Sequence, residues 1–422
     1  MTRVQVLAGL SCACLVAVAG LARGEEGWTE FRGPAGTGLS RSSGLPREWS
    51  ETKNVAWKTP IHGRGWSSPV VLGSQVWLTT ATRDGRELSV VAIDRDSGKV
   101  LHDILLFKVD KPEDTARYNS FASPTPVIEE GRVYVHFGSY GTAALDTQTG
   151  KTLWTRRDLP CNHWRAPGSS PMLWNDRLIV HFDGYDQQYA VALDKRTGRT
   201  LWKADRAYDF GTDDGDMKKA FATPVVIEAG GRAQLISQAA KAVLSLDPTT
   251  GRELWRVRYA SHSAAVRPLF ANGLLYVGTG RGPSELYAIR PDGSGDVTAT
   301  HVAWKAARGI GSSPSPILVD GLIYAISDKG GVLTCLDART GAELWQHRTG
   351  PHDHTASPVY ADGALYFFAE DGTALLLAPG REYRELGQAS LGEAGVMATP
   401  AIAGRAIFLR TESHLYRLEK RP

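Results

Sequence analysis

Short runs of apolar and β-branched residues recur along the chain, with residues that favour turns between them. The first complete group contains four such runs, at residues 67–71, 75–80, 88–94 and 99–102. Runs of this length bounded by turn residues are typical of short β-strands. Four in succession predict a four-stranded antiparallel meander.

The first run of each group has a proline near its start, and these prolines recur at a nearly regular distance. They are Pro69, Pro126, Pro171, Pro224, Pro268, Pro316, Pro358 and Pro400. Their spacing of 42 to 57 residues, with four strands in each unit, is typical of the blades of a β-propeller. The eight prolines predict eight blades.

A repeated string, Leu-Asp-x-x-Thr-Gly-x-x-Leu-Trp, joins the third and fourth runs, and its copies end at Trp154, Trp202, Trp255 and Trp345. Its Asp can accept hydrogen bonds from amides of the turn, and its Gly adopts a left-handed conformation at little cost. The Trp is predicted to lie in the seam against the next blade, where its burial contributes about 2–3 kcal/mol. The pattern is broken in the first, fifth and seventh groups.

The eighth group has only three runs, at residues 398–402, 405–409 and 414–418. Residues 55–59 resemble an outer strand without partners of its own. We therefore predict that they complete the last blade and close the ring, which leaves that blade without an open edge. The predicted fold is all-β, an eight-bladed β-propeller of four-stranded antiparallel blades.

The amino terminus predicts export. Arg3 precedes an apolar run at residues 4–21, and small residues before Glu25 are typical of a cleavage site. The predicted organisation is a signal peptide at 1–24, an extended segment at 25–54 and the propeller at 55–422. Lipid attachment at Cys12 is not favoured, because residues 9–11 fit a lipobox poorly, and no membrane span is predicted after cleavage.

Composition narrows the possible partners. The formal net charge of +3 falls to +1 when Arg3 and Arg23 leave with the signal peptide, which gives no electrostatic argument for nucleic acid. Cys161 and Cys335 would remain, and their wide separation predicts two unpaired thiols rather than a disulfide framework.

The repeated string resembles the PQQ-like repeat of propellers in the quinoprotein alcohol dehydrogenase-like superfamily. The resemblance covers about residues 55–420. That superfamily includes exported dehydrogenases and the propeller lipoprotein of the machinery that assembles outer-membrane β-barrels. The resemblance implies the fold, whereas the repeated residues build blades in enzymes and scaffolds alike.

The candidate binding residues lie on the face that carries the connections between blades, because unusual polar and aromatic side chains concentrate there. They are His62, Arg64, Trp66, Arg117, Tyr118, His163, Trp164, Arg165, His262, Arg267, Arg308, His352 and His354. A solvated polar rim is the alternative interpretation of this face.

Three other patterns were considered for chemistry. The acidic residues 209–216 lack the closing Glu of a calcium loop, and His352 and His354 are a weak metal pattern. Residues 278–283 contain glycines but precede no helix, so they do not predict a phosphate site. No catalytic residue and no metal ligand is therefore assigned.

The sequence predicts an exported protein of the periplasm or cell envelope, without a catalytic role, that binds a protein or small molecule at this face or at the channel mouth. We predict a monomer without a resident cofactor. The alternative is a PQQ-dependent oxidoreductase acting on alcohols or sugars, with PQQ and Ca²⁺ as its cofactors. Against it, the adjacent cysteine pair of many family dehydrogenases and a Cys-x-x-Cys-His motif are absent from the sequence.

Overall fold

The computed structural model describes residues 27–421. It is an all-β structure in which eight sheets of four antiparallel strands form a propeller, and one of these sheets carries an additional short parallel strand. The predicted fold class is confirmed. The predicted signal peptide, residues 1–24, lies outside the described residues.

The first strand, β1 (Val55–Pro60), belongs to the last blade. Blade 1 contains β2 (Val70–Leu72), β3 (Gln75–Ala81), β4 (Glu87–Asp94) and β5 (Val100–Lys108). Blade 2 contains β6 (Val127–Glu129), β7 (Arg132–His136), β8 (Thr142–Asp146) and β9 (Thr152–Arg156). Blade 3 contains β10 (Met172–Trp174), β11 (Arg177–Asp183), β12 (Gln188–Asp194) and β13 (Thr200–Asp205). Blade 4 contains β14 (Val225–Ala229), β15 (Arg232–Gln238), β16 (Ala242–Leu246) and β17 (Glu253–Arg258).

Blade 5 contains β18 (Leu269–Ala271), β19 (Leu274–Gly278), β20 (Leu286–Ile289) and β22 (Val302–Ala306); β21 (Gly295–Asp296) pairs with blade 4. Blade 6 contains β23 (Ile317–Val319), β24 (Leu322–Ile326), β25 (Val332–Asp337) and β26 (Glu343–Arg348). Blade 7 contains β27 (Val359–Ala361), β28 (Ala364–Phe368), β29 (Thr373–Leu377) and β30 (Glu385–Ser390). Blade 8 contains β31 (Ala401–Ala403), β32 (Ala406–Arg410), β33 (His414–Glu419) and β1. Three one-turn helices span Pro34–Gly36, Gly215–Lys218 and Thr298–His301.

Every innermost strand begins at the residue that follows one of the eight prolines. The middle strands are buried along nearly their whole length, as in β24 and β28, because each is covered by neighbouring blades on both faces. Outer strands such as β5 and β22 alternate between more and less exposed residues. A continuous apolar run therefore indicates a middle strand of a blade, and an alternating pattern indicates an outer strand.

The repeated Trp fastens one blade to the next. Trp154 of blade 2 donates its indole N–H to the carbonyl of Lys195 in the β12–β13 turn of blade 3, at 3.0 Å. A Cβ added to Gly198 in that turn would come within 2.7 Å of the Trp154 ring. Trp202 makes the same pair of contacts with Pro248 and Gly251 of blade 4. Glycine is thus required at this position for two reasons: the backbone has a positive φ, and a side chain would collide with the Trp ring of the preceding blade.

Blade 5 lacks the Asp-x-x-Thr-Gly turn, and its seam is built differently. The chain between β20 and β22 is longer, and β21 pairs in parallel with β17 beside Trp255 and Arg256. Trp255 is fully buried and donates to Gln234 of its own blade, at 2.8 Å. Where the repeat is broken in blade 5, the inserted strand β21 therefore covers the seam between blades 4 and 5.

Strand β1 closes the ring as predicted. It pairs antiparallel with β33, with Trp57 opposite Arg417 and Thr59 opposite Leu415. Trp57 also donates to the carbonyl of Arg95 in blade 1, at 3.0 Å. The strand thus completes blade 8 and supplies the Trp contact between blade 8 and blade 1.

Residues before β1 enter the central channel. Trp28 exchanges two backbone hydrogen bonds of 2.8 Å with Val71 of the innermost strand of blade 1. Farther along, Gly38 and Ser40 bond in the same way to Tyr360 of the innermost strand of blade 7. Between these two points the chain reaches blade 5, where Glu30 and the carbonyl of Phe31 meet Arg267. We call residues 28–40 the channel loop.

Two further findings concern the described residues 27–421. Cys161 and Cys335 are buried free thiols, as predicted. No helix in this part of the chain has the length and apolar character needed to cross a bilayer.

Candidate functional site

A cavity of about 300 Å³ lies at the mouth of the central channel, on the face that carries the connections between blades. Phe31 of the channel loop is among its lining residues. The channel loop crosses from blade 1 to blade 5 and back to blade 7, so it lies across the channel next to the cavity. We call this space the mouth pocket.

A belt of hydroxyl groups surrounds the mouth pocket. In seven of the eight blades the residue before the strand-starting proline is Ser or Thr: Ser68, Thr125, Ser170, Thr223, Ser315, Ser357 and Thr399. All of these except Ser315 line the pocket. We call these seven residues the hydroxyl belt; Arg267 takes the eighth place.

The belt is held together by bonds between blades. The amide of Ser68 donates to the hydroxyl of Thr125 at 3.0 Å, that of Thr125 to Ser170 at 2.9 Å, and that of Ser170 to Thr223 at 3.0 Å. The same bond joins the neighbouring blades from Arg267 to Thr399. Six of the seven belt hydroxyls, all except that of Ser68, accept a backbone amide in this way, and a hydroxyl that accepts can still donate its proton to a ligand.

Lys219 is the most deeply buried cation of the pocket, with 3% of its side chain exposed. Its ammonium lies 2.5 Å from the carboxylate of Asp216 and 5.9 Å from the centre of the Phe221 ring. Burial raises the pKa of Asp216, but the contact with Lys219 outweighs it and leaves that pKa below its usual value. Both residues lie in the long connection between β13 and β14.

Tyr118 and Arg281 meet across the pocket mouth. The guanidinium of Arg281 donates to the Tyr118 hydroxyl at 3.0 Å and lies 4.6 Å from the centre of its ring. Tyr118 follows blade 1, whereas Arg281 lies between β19 and β20 of blade 5, on the opposite side of the ring. The contact therefore spans the opening above the hydroxyl belt.

The structure separates the predicted site residues into groups. Four of them line the mouth pocket: Trp66, Tyr118, Arg165 and His262. Arg64 lies 5.0 Å above the ring of Trp66 and donates to the carbonyl of Arg117, so these two belong to the rim. Arg267 lies below the pocket, beside the channel loop.

The other predicted residues do not reach the pocket. His163 is buried and accepts the amide of Ser139 at 3.1 Å, and burial lowers its pKa to about 4. His354 is buried against the carbonyl of Phe368, at 3.0 Å. His62 pairs with Asp103, His352 pairs with Asp371, Trp164 packs on Tyr185, and Arg308 is exposed.

Lys219, Asp216 and Arg281 are pocket residues that the sequence analysis missed. Asp216 ends the acidic stretch that was considered for calcium, and Arg281 lies within the glycine-containing residues 278–283. Both segments lie on the predicted binding face, because loops between second and third strands share it with the connections between blades. These residues could therefore have been predicted from the face on which their loops lie, but not from a sequence motif.

A metal site is not formed by the described residues. Within 27–421, no three His, Cys, Asp or Glu side chains lie close enough together to hold a metal ion. His352 and His354 are engaged with Asp371 and with Phe368, and they do not converge with His163 or His262.

Sequence comparison places the chain among known propellers. A family model described as "Outer membrane protein assembly factor BamB" matches residues 111–232 and 186–421. The chain is 24% identical over 333 residues to tetrathionate hydrolase of Acidithiobacillus ferrooxidans, which covers 71% of this chain. It is 28% identical over 144 residues to quinoprotein ethanol dehydrogenase of Pseudomonas aeruginosa, which covers 31% of it. The chain spans 62% and 22% of the lengths of these two curated relatives.

Solved structures share the fold. A europium-containing methanol dehydrogenase superposes with a TM-score of 0.69 at 12% identity, over 92% of this chain and 90% of that one. BamB from Moraxella catarrhalis gives 0.59 at 13% identity, over 86% and 99%. Quinohemoprotein alcohol dehydrogenase from Comamonas testosteroni gives 0.69 at 13% identity, over 94% and 81%.

The eight-bladed ring and the PQQ-like repeat thus occur both in enzymes and in an assembly factor, and fold similarity at this level of identity does not choose between them. The family match extends over well more than half of the sequence. The chain belongs to the β-propeller family described as outer membrane protein assembly factor BamB.

Proposed function

We propose that this protein is a non-catalytic binding protein that takes a small organic anion in the mouth pocket. The observation that carries the proposal is the hydroxyl belt: six of its seven residues line the pocket, and six of its hydroxyl oxygens accept a backbone amide, which leaves the hydroxyl protons free to donate to a ligand. A ring of hydroxyl donors favours a ligand rich in hydrogen-bond acceptors.

The charged side chains of the pocket also favour an anionic ligand. Lys219, Arg165, Arg281 and Asp216 line the pocket, so three cationic side chains face one carboxylate. Hydrogen bonds between a charged donor and an anionic acceptor contribute about 1.5–3 kcal/mol each. A carboxylate or sulfonate group would therefore be held near Lys219.

The walls add an apolar component. Phe31, Trp66, Tyr118 and Phe221 line the same cavity. Aromatic walls around a few polar groups are typical of small-molecule sites, and they favour a ligand with a flat or apolar part next to its acidic group.

The test is calorimetric titration of the full chain with matched pairs of aromatic carboxylates and their neutral amides. We expect saturable binding of the acids, and Lys219→Gln should weaken it by about 10- to 150-fold, the equivalent of one charge-assisted hydrogen bond. Lys203→Gln, which alters a half-exposed lysine paired with Asp205 on an outer strand, is the matched control and should bind normally. Equal binding of acids and amides, or full binding by Lys219→Gln, would contradict the proposal.

The family's enzymes raise the alternative of PQQ bound with a divalent ion, and the residues here fit only part of it. The cationic side chains suit the carboxylates of that quinone. However, Asp216 is the one carboxylate among the pocket residues, and it is paired with Lys219. Without a cluster of ligands for the ion, we propose no step through this cofactor. PQQ- and Ca²⁺-dependent reduction of a dye by alcohols or sugars would overturn the non-catalytic assignment.

A second candidate function is protein binding at the rim, in an envelope assembly. Family membership supports it, and so do three exposed aromatic residues near the pocket, Tyr118, Trp164 and Tyr185, which are 50%, 46% and 40% exposed. Exposed aromatic residues are frequent anchors of protein interfaces. We infer that the protein is exported to the periplasm or cell envelope, as the predicted signal peptide would require.

Photo-crosslinking from position 164 in intact cells tests the rim. A crosslinker at position 196, in the turn of blade 3 on the opposite face, is the matched control. A discrete product from 164 that is absent from 196 is expected. Equal or absent products from both positions would leave the mouth pocket as the one proposed binding site.

A further inference from the structure

Beneath the mouth pocket, two arginines lie buried against the channel loop. Arg32 belongs to the loop and is 0% exposed, and Arg267 of blade 5 is 1% exposed. A Cβ on Gly36 would collide with the guanidinium of Arg267, and one on Gly38 would come within 2.8 Å of Nη2 of Arg32. Both cations therefore pack against the same short stretch of backbone.

The charge of Arg267 disfavours the charged form of Arg32. The pKa of Arg32 is lowered to about 9, chiefly by burial and further by the charge of Arg267. Two like charges in a low-dielectric interior are costly unless opposite charge compensates them.

Compensation by the protein is incomplete. Arg267 donates to Glu30 at 2.7 Å and to the carbonyl of Phe31, and Arg32 donates to the carbonyl of Thr37 at 3.1 Å. Among residues 27–421, Glu30 is the one carboxylate paired with either arginine. In the same part of the chain, Nε and Nη1 of Arg32 and Nε of Arg267 have no hydrogen-bond partner.

We propose that Arg32 and Arg267 form a binding site for a small inorganic anion, which locks the channel loop into the channel. Such an anion would neutralise the excess positive charge and accept the unpartnered N–H groups. The enclosure favours a compact anion such as chloride over an organic acid. This site is separate from the mouth pocket, because neither Arg32 nor Arg267 is among the residues that line that pocket.

Anion binding would stabilise the folded form, because the unfolded chain does not bring Arg32 and Arg267 together. The melting temperature of the full chain should therefore rise with chloride concentration and saturate, at an ionic strength held constant with gluconate, a bulky organic anion. Bromide and nitrate should substitute for chloride.

Two variants should shift this response in opposite directions. Arg32→Met removes one buried charge and should abolish the chloride dependence, while the melting temperature without chloride stays equal or rises. Glu30→Gln removes the competing carboxylate and should shift half-saturation to a chloride concentration at least threefold lower. Arg196→Met, an exposed arginine in a turn of blade 3, is the control for general salt effects and should respond like the unchanged chain.

A melting temperature that is independent of anion identity at constant ionic strength would overturn the proposal and leave the unpartnered N–H groups to water. An unchanged chloride response in Arg32→Met would do the same. If Arg32→Met does not fold, the chloride-35 NMR linewidth of the unchanged chain decides. Chloride-specific broadening that bromide competes away supports the site, and its absence overturns it.

Discussion

At the scale of single residues, buried histidines make the stability of the propeller sensitive to pH. His136 is 1% exposed, and its ring accepts or donates one bond to Thr142 at 2.8 Å. Burial lowers the pKa of His136 to about 3, that of His163 to about 4, and that of His181 well below its usual value. The folded protein therefore keeps these rings neutral.

The sign of the effect follows from where the protons bind. An unfolded chain binds protons at these histidines below a pH of about 6.5, whereas the folded chain does not until a much lower pH. Stability is therefore complete above about pH 6.5. It falls as the pH drops toward the folded pKa values, by about 1.4 kcal/mol per pH unit for each such histidine.

We predict that the free energy of unfolding, measured with urea, falls between pH 7.5 and pH 5.0 by about 2 kcal/mol for each buried histidine. His136→Asn should reduce that fall by about 2 kcal/mol, since one titrating ring is lost. His62→Asn, which changes an exposed ring, is the surface control. Equal stability at the two pH values would show that the rings are protonated in the folded state.

Residue chemistry also explains what the sequence could and could not reveal about the site. Trp66, Tyr118, Arg165 and His262 were predicted, because aromatic and basic residues in the connections between blades stand out against a repeated background. The hydroxyl belt was not predicted, for the opposite reason. Its Ser and Thr residues recur in almost every blade and so do not stand out in the sequence, whereas in the structure six of the seven line the pocket and six hydroxyls accept an amide from a neighbouring blade.

At the scale of elements, the repeated string places a Trp of one blade against a Gly in the turn of the next blade. The Trp end of the string lies on an outer strand, and the Gly that receives it lies in the turn of the next blade. The sequence predicted the turn and the seam separately. It did not reveal that the two meet, because the partners are about one blade apart in the chain.

This pairing predicts different costs for two Gly→Ala substitutions at similar φ. Gly198 has φ 74° and faces the Trp154 ring, whereas Gly273 has φ 76° and has no atom within 4 Å of an added Cβ. Gly273→Ala should cost about 1 kcal/mol for the left-handed backbone alone. Gly198→Ala should cost about 1–3 kcal/mol more, because the ring must move.

Urea unfolding of both variants measures the difference, and a third variant locates its cause. In a Trp154→Ala background, the extra cost of Gly198→Ala should disappear, since the colliding ring is gone. The same cost for both substitutions in the original background would mean that the seam yields without loss of stability.

At the scale of the whole molecule, the ring and the channel loop were predictable to different degrees. Eight prolines and an unpartnered apolar strand at residues 55–59 were enough to predict the closed ring. The channel loop has no period, and its position depends on contacts with Val71, Arg267 and Tyr360, which are distant in sequence. Such long-range contacts leave no local pattern, so the loop was predicted only as part of an extended segment at residues 25–54.

Two truncated chains separate the role of β1 from that of the channel loop. A chain that starts at residue 54 keeps β1 but loses Glu30 and Phe31, which hold Arg267. We expect it to remain a monomer with a lower melting temperature. A chain that starts at residue 61 also exposes β33, whose Leu415, Tyr416 and Leu418 are 0–1% exposed in the closed ring.

An apolar strand with an unpaired edge favours pairing between chains. The shorter chain should therefore form dimers or aggregates in light scattering coupled to size-exclusion chromatography, and the amides of β33 should lose their protection from hydrogen exchange. The chain that starts at residue 54 should keep that protection, because β1 still covers the edge. If the chain that starts at residue 61 stayed monomeric with β33 protected, ring closure would not depend on β1, and the stability of the propeller would reside in the contacts between its other blades.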